Sequence, residues 1–211
     1  MIYINEKLKK YIEENIFPEY NKNDKGHDIE HINYVIERSL KFAETVEHIN
    51  YDIVYTVSAY HDIGHHIDAK NHEKVSAEIF LKDQNMKTFF TEDQIKIIAE
   101  AIEDHRSSLE YEPRSVYGKI VSTADKNTSI DDVLKRTYSY YKKHKPDASL
   151  EEIIEDSRLH LIDKFGENGY ANKKMYFDDK EFKQFLKDII YYTENKEIFK
   201  KRYLEVNKLK K

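Results

Sequence analysis

Two side chains able to hold a metal stand next to each other at the end of an apolar run. The run is Ile53-Val54-Tyr55-Thr56-Val57-Ser58-Ala59-Tyr60, and His61-Asp62-Ile63-Gly64 follows it. A carboxylate and an imidazole at the end of a segment expected to be buried are costly unless they are paired or bound to a cation. Upstream lies Gly26-His27-Asp28-Ile29-Glu30-His31, and downstream Ser122-Thr123-Ala124-Asp125 sits in a second apolar-periodic stretch. His31 is one helical turn from Val35, and Asp125 follows Val121 by four residues, so each shares a face with a core position. His31, His61, Asp62 and Asp125 together offer two imidazoles and two carboxylates. Around an octahedral divalent ion that set leaves two positions open, which a catalytic site needs and a closed structural site lacks.

The composition narrows the chemistry. The chain has no cysteine, which excludes thiolate zinc sites, iron–sulfur clusters, disulfides and cysteine nucleophiles. The remaining ligand types suit Mn, Fe, Co, Ni, Zn or Mg without choosing among them. A net charge of −5, from 35 basic and 40 acidic residues, argues against an extended nucleic-acid partner, which needs a basic surface. It leaves room for a local site that takes a small phosphorylated substrate. Met1 to Phe17 carries charges throughout and lacks the apolar core of a signal peptide, and no stretch is apolar enough for a membrane span. The expectation is a cytoplasmic protein with no membrane partner.

Those ligands have to be positioned by helices, because the apolar spacing is helical nearly throughout and only five Gly and three Pro interrupt it. The spacing predicts helices over about 4–16, 28–47, 51–63, 72–83, 92–105, 114–143 and 150–165, with further helical pattern over about 179–208. The segment 114–143 reads as one long helix, broken by Lys145-Pro146-Asp147. Thr91-Glu92-Asp93-Gln94 and Ser149-Leu150-Glu151-Glu152 are capping boxes. Asn21 to Gly26 reads as a loop, and Lys208, Lys210 and Lys211 as a solvated tail. At 211 residues the expected architecture is a single all-α globular domain, 1–211, with a metal-binding core over about 26–145 and C-terminal helices over about 150–208.

The ordered set of motifs resembles the HD-domain superfamily of metal-dependent phosphohydrolases. It is carried by His31 in Gly-His-Asp-Ile-Glu-His, His61-Asp62 in Tyr-His-Asp-Ile-Gly, and Asp125 in Thr-Ala-Asp-Lys, over roughly residues 26–130. The closest likeness is to small stand-alone bacterial members. The resemblance implies a divalent metal held by His31, His61, Asp62 and Asp125, and hydrolysis of a phosphomonoester or phosphoanhydride, with a nucleotide as the expected substrate. His72 and His105 stand where dinuclear relatives bind a second metal, in which case Asp62 bridges the two ions. Asp62, Asp28 and Lys126 are the candidate catalytic groups, with Asp28 orienting a ligand imidazole or handling protons. Lys126, Arg38 and Arg106 are the candidate substrate contacts, with Arg136 and Lys164 as further cations for phosphate.

The chain departs from the family pattern in three places. Tyr34 stands where relatives often have Arg, Lys126 stands where they often have Arg, and His65 stands where some nucleotidases have Glu. His65 and His66 are expected to be solvated loop residues. Two other readings of the same scaffold stand beside hydrolysis: a metal-stabilised ligand-sensing module without turnover, and a di-iron oxygenase.

Overall fold

The computed structural model describes residues 2–23, 26–172 and 175–209. Asp24 and Lys25 of the expected loop, and Lys210 and Lys211 of the expected tail, lie outside the described residues. Among those described, regular structure is helical and none of it is strand. The ten α-helices are α1 (Glu6–Asn15), α2 (Ile29–Ala43), α3 (Tyr51–Tyr60), α4 (His72–Lys82), α5 (Glu92–Glu103), α6 (Val116–Ala124), α7 (Ile130–His144), α8 (Leu150–Phe165), α9 (Lys180–Glu194) and α10 (Lys196–Val206).

Most starts follow from capping. Asn5, Asp28, Asn50, Thr91, Ser115, Ser129, Ser149 and Asp179 each accept a backbone N–H of the helix they open. Such caps are worth about 1 kcal/mol each. Both capping boxes form as expected.

The expected long helix over 114–143 is two helices. α6 stops at Ala124 and α7 starts at Ile130. Asn127 Oδ1 accepts the Ser129 N–H at 2.7 Å, and Ser129 in turn caps α7 through the Asp132 N–H. Polar side chains that hydrogen-bond the nearby backbone compete with a continuous helix. α3 also ends three residues before the expected 63, so His61 and Asp62 lie in the turn beyond it.

The chain divides into two compact units, Met1–Asp125 and Lys126–Lys211. α7 falls in the second unit with α8 to α10. In the first unit α3 is central. It touches α1, α2, α4, α5 and α6, and every residue from Ile53 to Tyr60 is buried. A helix apolar on all sides has to sit inside a core in this way. α2 contributes Ile32, Val35, Ile36 and Ala43, and α6 contributes Ile120, Val121 and Ala124. The second unit packs α7–α10 around Leu134, Leu161, Phe182, Phe185, Phe199 and Tyr203.

Candidate metal centre

The buried helix α3 delivers His61 and Asp62 to the interior of the first unit. Both are almost wholly buried. The turn that carries them is tied at several points. Tyr20 Oη donates to Ala59 O at 2.8 Å, and Asn23 Nδ2 donates to Asp62 O and to His27 O at 3.0 Å each. The Gly64 N–H donates to Ser76 Oγ at 3.0 Å, which brings α4 against the turn. A Cβ on Gly64 would stand 2.8 Å from the Ser76 backbone nitrogen, so the close approach requires glycine.

The other expected ligands come from helix ends. Asp28 Oδ1 accepts the Glu30 and His31 N–H groups at 3.0 and 3.2 Å, which sets His31 in the first turn of α2. Asp125 is the C-terminal cap of α6. Arg38 Nε donates to Ala124 O at 3.1 Å, holding the end of α6 against α2.

These elements bring the four expected ligands together. His31 Nε2 lies 3.1 Å from Asp125 Oδ1 and 3.5 Å from Asp62 Oδ2. His61 Nε2 lies 3.5 Å from Asp62 Oδ2 and 3.8 Å from Asp125 Oδ1. Donor atoms held at about 2.1 Å from one ion, with bond angles of roughly 90–109°, stand ~3.0–3.4 Å apart. The observed spacings match that arrangement to within a few tenths of an ångström.

A second group shares Asp62. His72 Nε2 and His105 Nε2 lie 3.3 and 3.6 Å from Asp62 Oδ1, and 3.1 Å from each other. Asp62 thus presents Oδ2 to His31 and His61, and Oδ1 to His72 and His105.

The tautomers fit metal binding. Nδ1 donates to a backbone carbonyl in three of the four imidazoles: His61 to Ser58 O at 2.8 Å, His105 to Ile102 O at 2.6 Å, and His72 to Ala69 O at 3.1 Å. Each neutral ring therefore turns a lone pair on Nε2 toward the shared carboxylate. The buried Nε2 atoms of His31 and His61 have no hydrogen-bond partner among the described residues. Lone pairs facing carboxylate oxygens, and one another across 3.1 Å between His72 and His105, repel unless a cation lies between them. The donor set fits divalent ions on this ground.

Without a metal, protons take that role. Burial alone would lower the His31 pKa, but the Asp125 and Asp62 carboxylates outweigh it and push it up to about 9. Burial likewise opposes a charged His105, and Asp62 overrides it and raises the pKa. Burial and the neighbouring His105 lower that of His72. Burial would raise both carboxyl pKa values, yet His61, His105 and His31 hold Asp62 well below the usual range, and His31 and His61 do the same for Asp125.

Residues 28–129 match the family model of the HD domain. That segment is a member of the HD-domain superfamily. No curated protein and no solved structure matches it. The superfamily is one of metal-dependent phosphohydrolases, and the matched segment contains all six His and Asp residues of the two ligand groups. No helix among the described residues is long and apolar enough to cross a membrane.

The remaining expected site residues of this HD domain have other partners. Arg106 Nη1 donates to Lys70 O at 2.6 Å and to Glu73 Oε2 at 3.2 Å. Arg38 is buried, with its guanidinium 5.3 Å from the Tyr34 ring centre and 5.6 Å from that of Phe42. Lys126 is buried in the second unit, with Nζ 4.7 Å above the Phe182 ring.

His65 is not a solvated loop residue. It is half-buried, stacked on His27 at 3.6 Å between ring centres, and its ring lies 5.4 Å from that of His72. His27 in turn meets His31 edge-on at 5.9 Å. The run Ile63-Gly64-His65-His66 directly after the His-Asp pair is the available sequence signal for this contact. Asn23 and Ser76, which fix the turn, carry no such signal, because only the folded chain brings them to it.

Proposed function

We propose that this HD domain is a divalent-metal-dependent phosphohydrolase acting on a phosphomonoester or phosphoanhydride, with a nucleotide as its substrate class. The observation that carries the reading is Asp62, whose two oxygens face two separate sets of imidazoles. In this account His31, His61, Asp62 and Asp125 hold one cation, and Asp62, His72 and His105 hold a second. Such ions lower the pKa of water toward neutrality and offset charge on a phosphoryl group.

The residues of the chain do the rest. The carbonyls of Ser58, Ile102 and Ala69 fix three rings in the ligating tautomer. Asp28 orients His31 by capping its helix. Charge balance supports an anionic substrate: two divalent ions exceed the charge of Asp62 and Asp125 by the charge of a phosphate dianion.

The test is a phosphate-release screen. The chain is depleted of metal, reloaded with Mn, Mg, Co or Ni, and offered nucleoside mono-, di- and triphosphates. The proposal expects release that depends on the added metal and is lost in Asp125→Ala. A protein that retains metal, binds a nucleotide and releases no phosphate is a sensing module instead. Oxygen consumption with bound iron, and no phosphate release, marks an oxygenase.

A further inference from the structure

The second ligand group is assembled differently from the first. His72 is the opening residue of α4, and His105 lies in the turn after α5. The residues that follow them in the chain, Glu73 and Arg106, are joined to each other. Arg106 Nη1 donates to Glu73 Oε2 at 3.2 Å and to Lys70 O at 2.6 Å. It therefore grips the backbone before His72 and the side chain after it. Glu73 Oε2 also lies 3.8 Å from His72 Nδ1, and its side chain is only 12% exposed.

On the other side of His105, Asp104 is fully buried. It accepts the Arg114 N–H at 2.6 Å and the Arg114 guanidinium at 2.7 Å through Nη2. The turn that carries His105 is thus pinned through both chain neighbours. The first ligand group uses none of these contacts. Its geometry comes from the Asp28 cap, the Ser58 carbonyl and the Arg38 bond to Ala124 O.

We propose that Arg106 and Glu73 are positioning residues that set the separation of His72 and His105, and with it the affinity of the second cation, while leaving the first cation unaffected. This rests on the two-cation reading of the centre. Two neutral imidazoles whose Nε2 atoms stand 3.1 Å apart repel each other. A clasp between their chain neighbours keeps them in place before the ion arrives. Groups that orient ligands from behind typically change metal affinity by about 10–100-fold.

The test titrates the metal-depleted full chain with manganese chloride in a calorimeter and records the thermal midpoint of each metal-free variant. Wild type should show two binding events. Arg106→Gln should weaken the second by about tenfold or more, leave the first event unchanged, and keep a thermal midpoint close to wild type. Glu73→Gln should also weaken the second event, and the double variant should be no weaker than Arg106→Gln alone, because the Arg106–Glu73 contact is already lost there. Arg106→Lys, which keeps a charge for Glu73 but not the planar fork, should recover part of the affinity. A second event that is unchanged or tightened in Arg106→Gln overturns the clasp alone. So does an equal weakening of both events. A single event in wild type overturns the two-cation reading and the clasp with it.

Discussion

At the scale of single residues, the centre turns on charges that proteins ordinarily keep apart. Asp62 is buried among four imidazoles, and Asp125 is set against two of them. In the metal-free protein His31 titrates at about 9, so a metal ion entering near neutral pH displaces a proton. Apparent metal affinity should then rise with pH by up to about tenfold per unit and level off above the His31 pKa. Calorimetry in buffers of different ionisation enthalpy measures the released proton, and pH-independent uptake between 6 and 9 would contradict the assignment. The same shift has the opposite sign for metal-free stability. A raised imidazole pKa stabilises fully below the ordinary value of 6.5 and is lost as pH rises through about 9. The thermal midpoint of the metal-free chain should fall across that window, and Asp125→Ala should reduce the fall. The same variant should lose the first cation and all phosphate release while its circular dichroism stays helical.

At the scale of elements, the ligands are aimed by helix ends. α3 stops at Tyr60, so the His-Asp pair occupies a turn that Asn23, Tyr20 and Ser76 hold from three directions. Gly64 makes the contact with α4 possible. Gly64→Ala should cost about 1–3 kcal/mol in denaturant unfolding through overpacking. It should also weaken the second cation more than the first, since the displaced element carries His72; equal weakening in a metal titration would contradict this. The helices themselves were legible, since apolar periodicity and capping residues mark α1 to α5 and α8 within a few residues. The four ligands of the first group were legible too, because adjacent motifs carry them. The break after Ala124 was not, because no Gly or Pro marks it; Asn127 and Ser129 end the helix by local hydrogen bonds that resemble ordinary surface polarity. The partners of Arg106, Arg38 and Lys126 were hidden for a different reason. Glu73, Ala124 O and the Phe182 ring meet these cations only in the folded chain, so no spacing in the sequence points to them.

At the scale of the whole molecule, the ligand groups all lie in the unit Met1–Asp125, and α7–α10 form a core of their own. Ions that bind only the folded state stabilise it by mass action, about 2.7 kcal/mol at a hundredfold excess over the dissociation constant. Chelation should therefore reduce amide-exchange protection first in α2 to α6, whose ends carry the proposed ligands, while α8 to α10 keep theirs. Uniform loss of protection along the chain would contradict the two-unit description. The most direct test of the central claim is diffraction from crystals grown with manganese, with data collected at the manganese absorption edge. The account predicts two anomalous peaks, one on each side of Asp62, the first touching His31, His61 and Asp125 and the second touching His72 and His105. A single peak, or manganese bound away from Asp62, would contradict it.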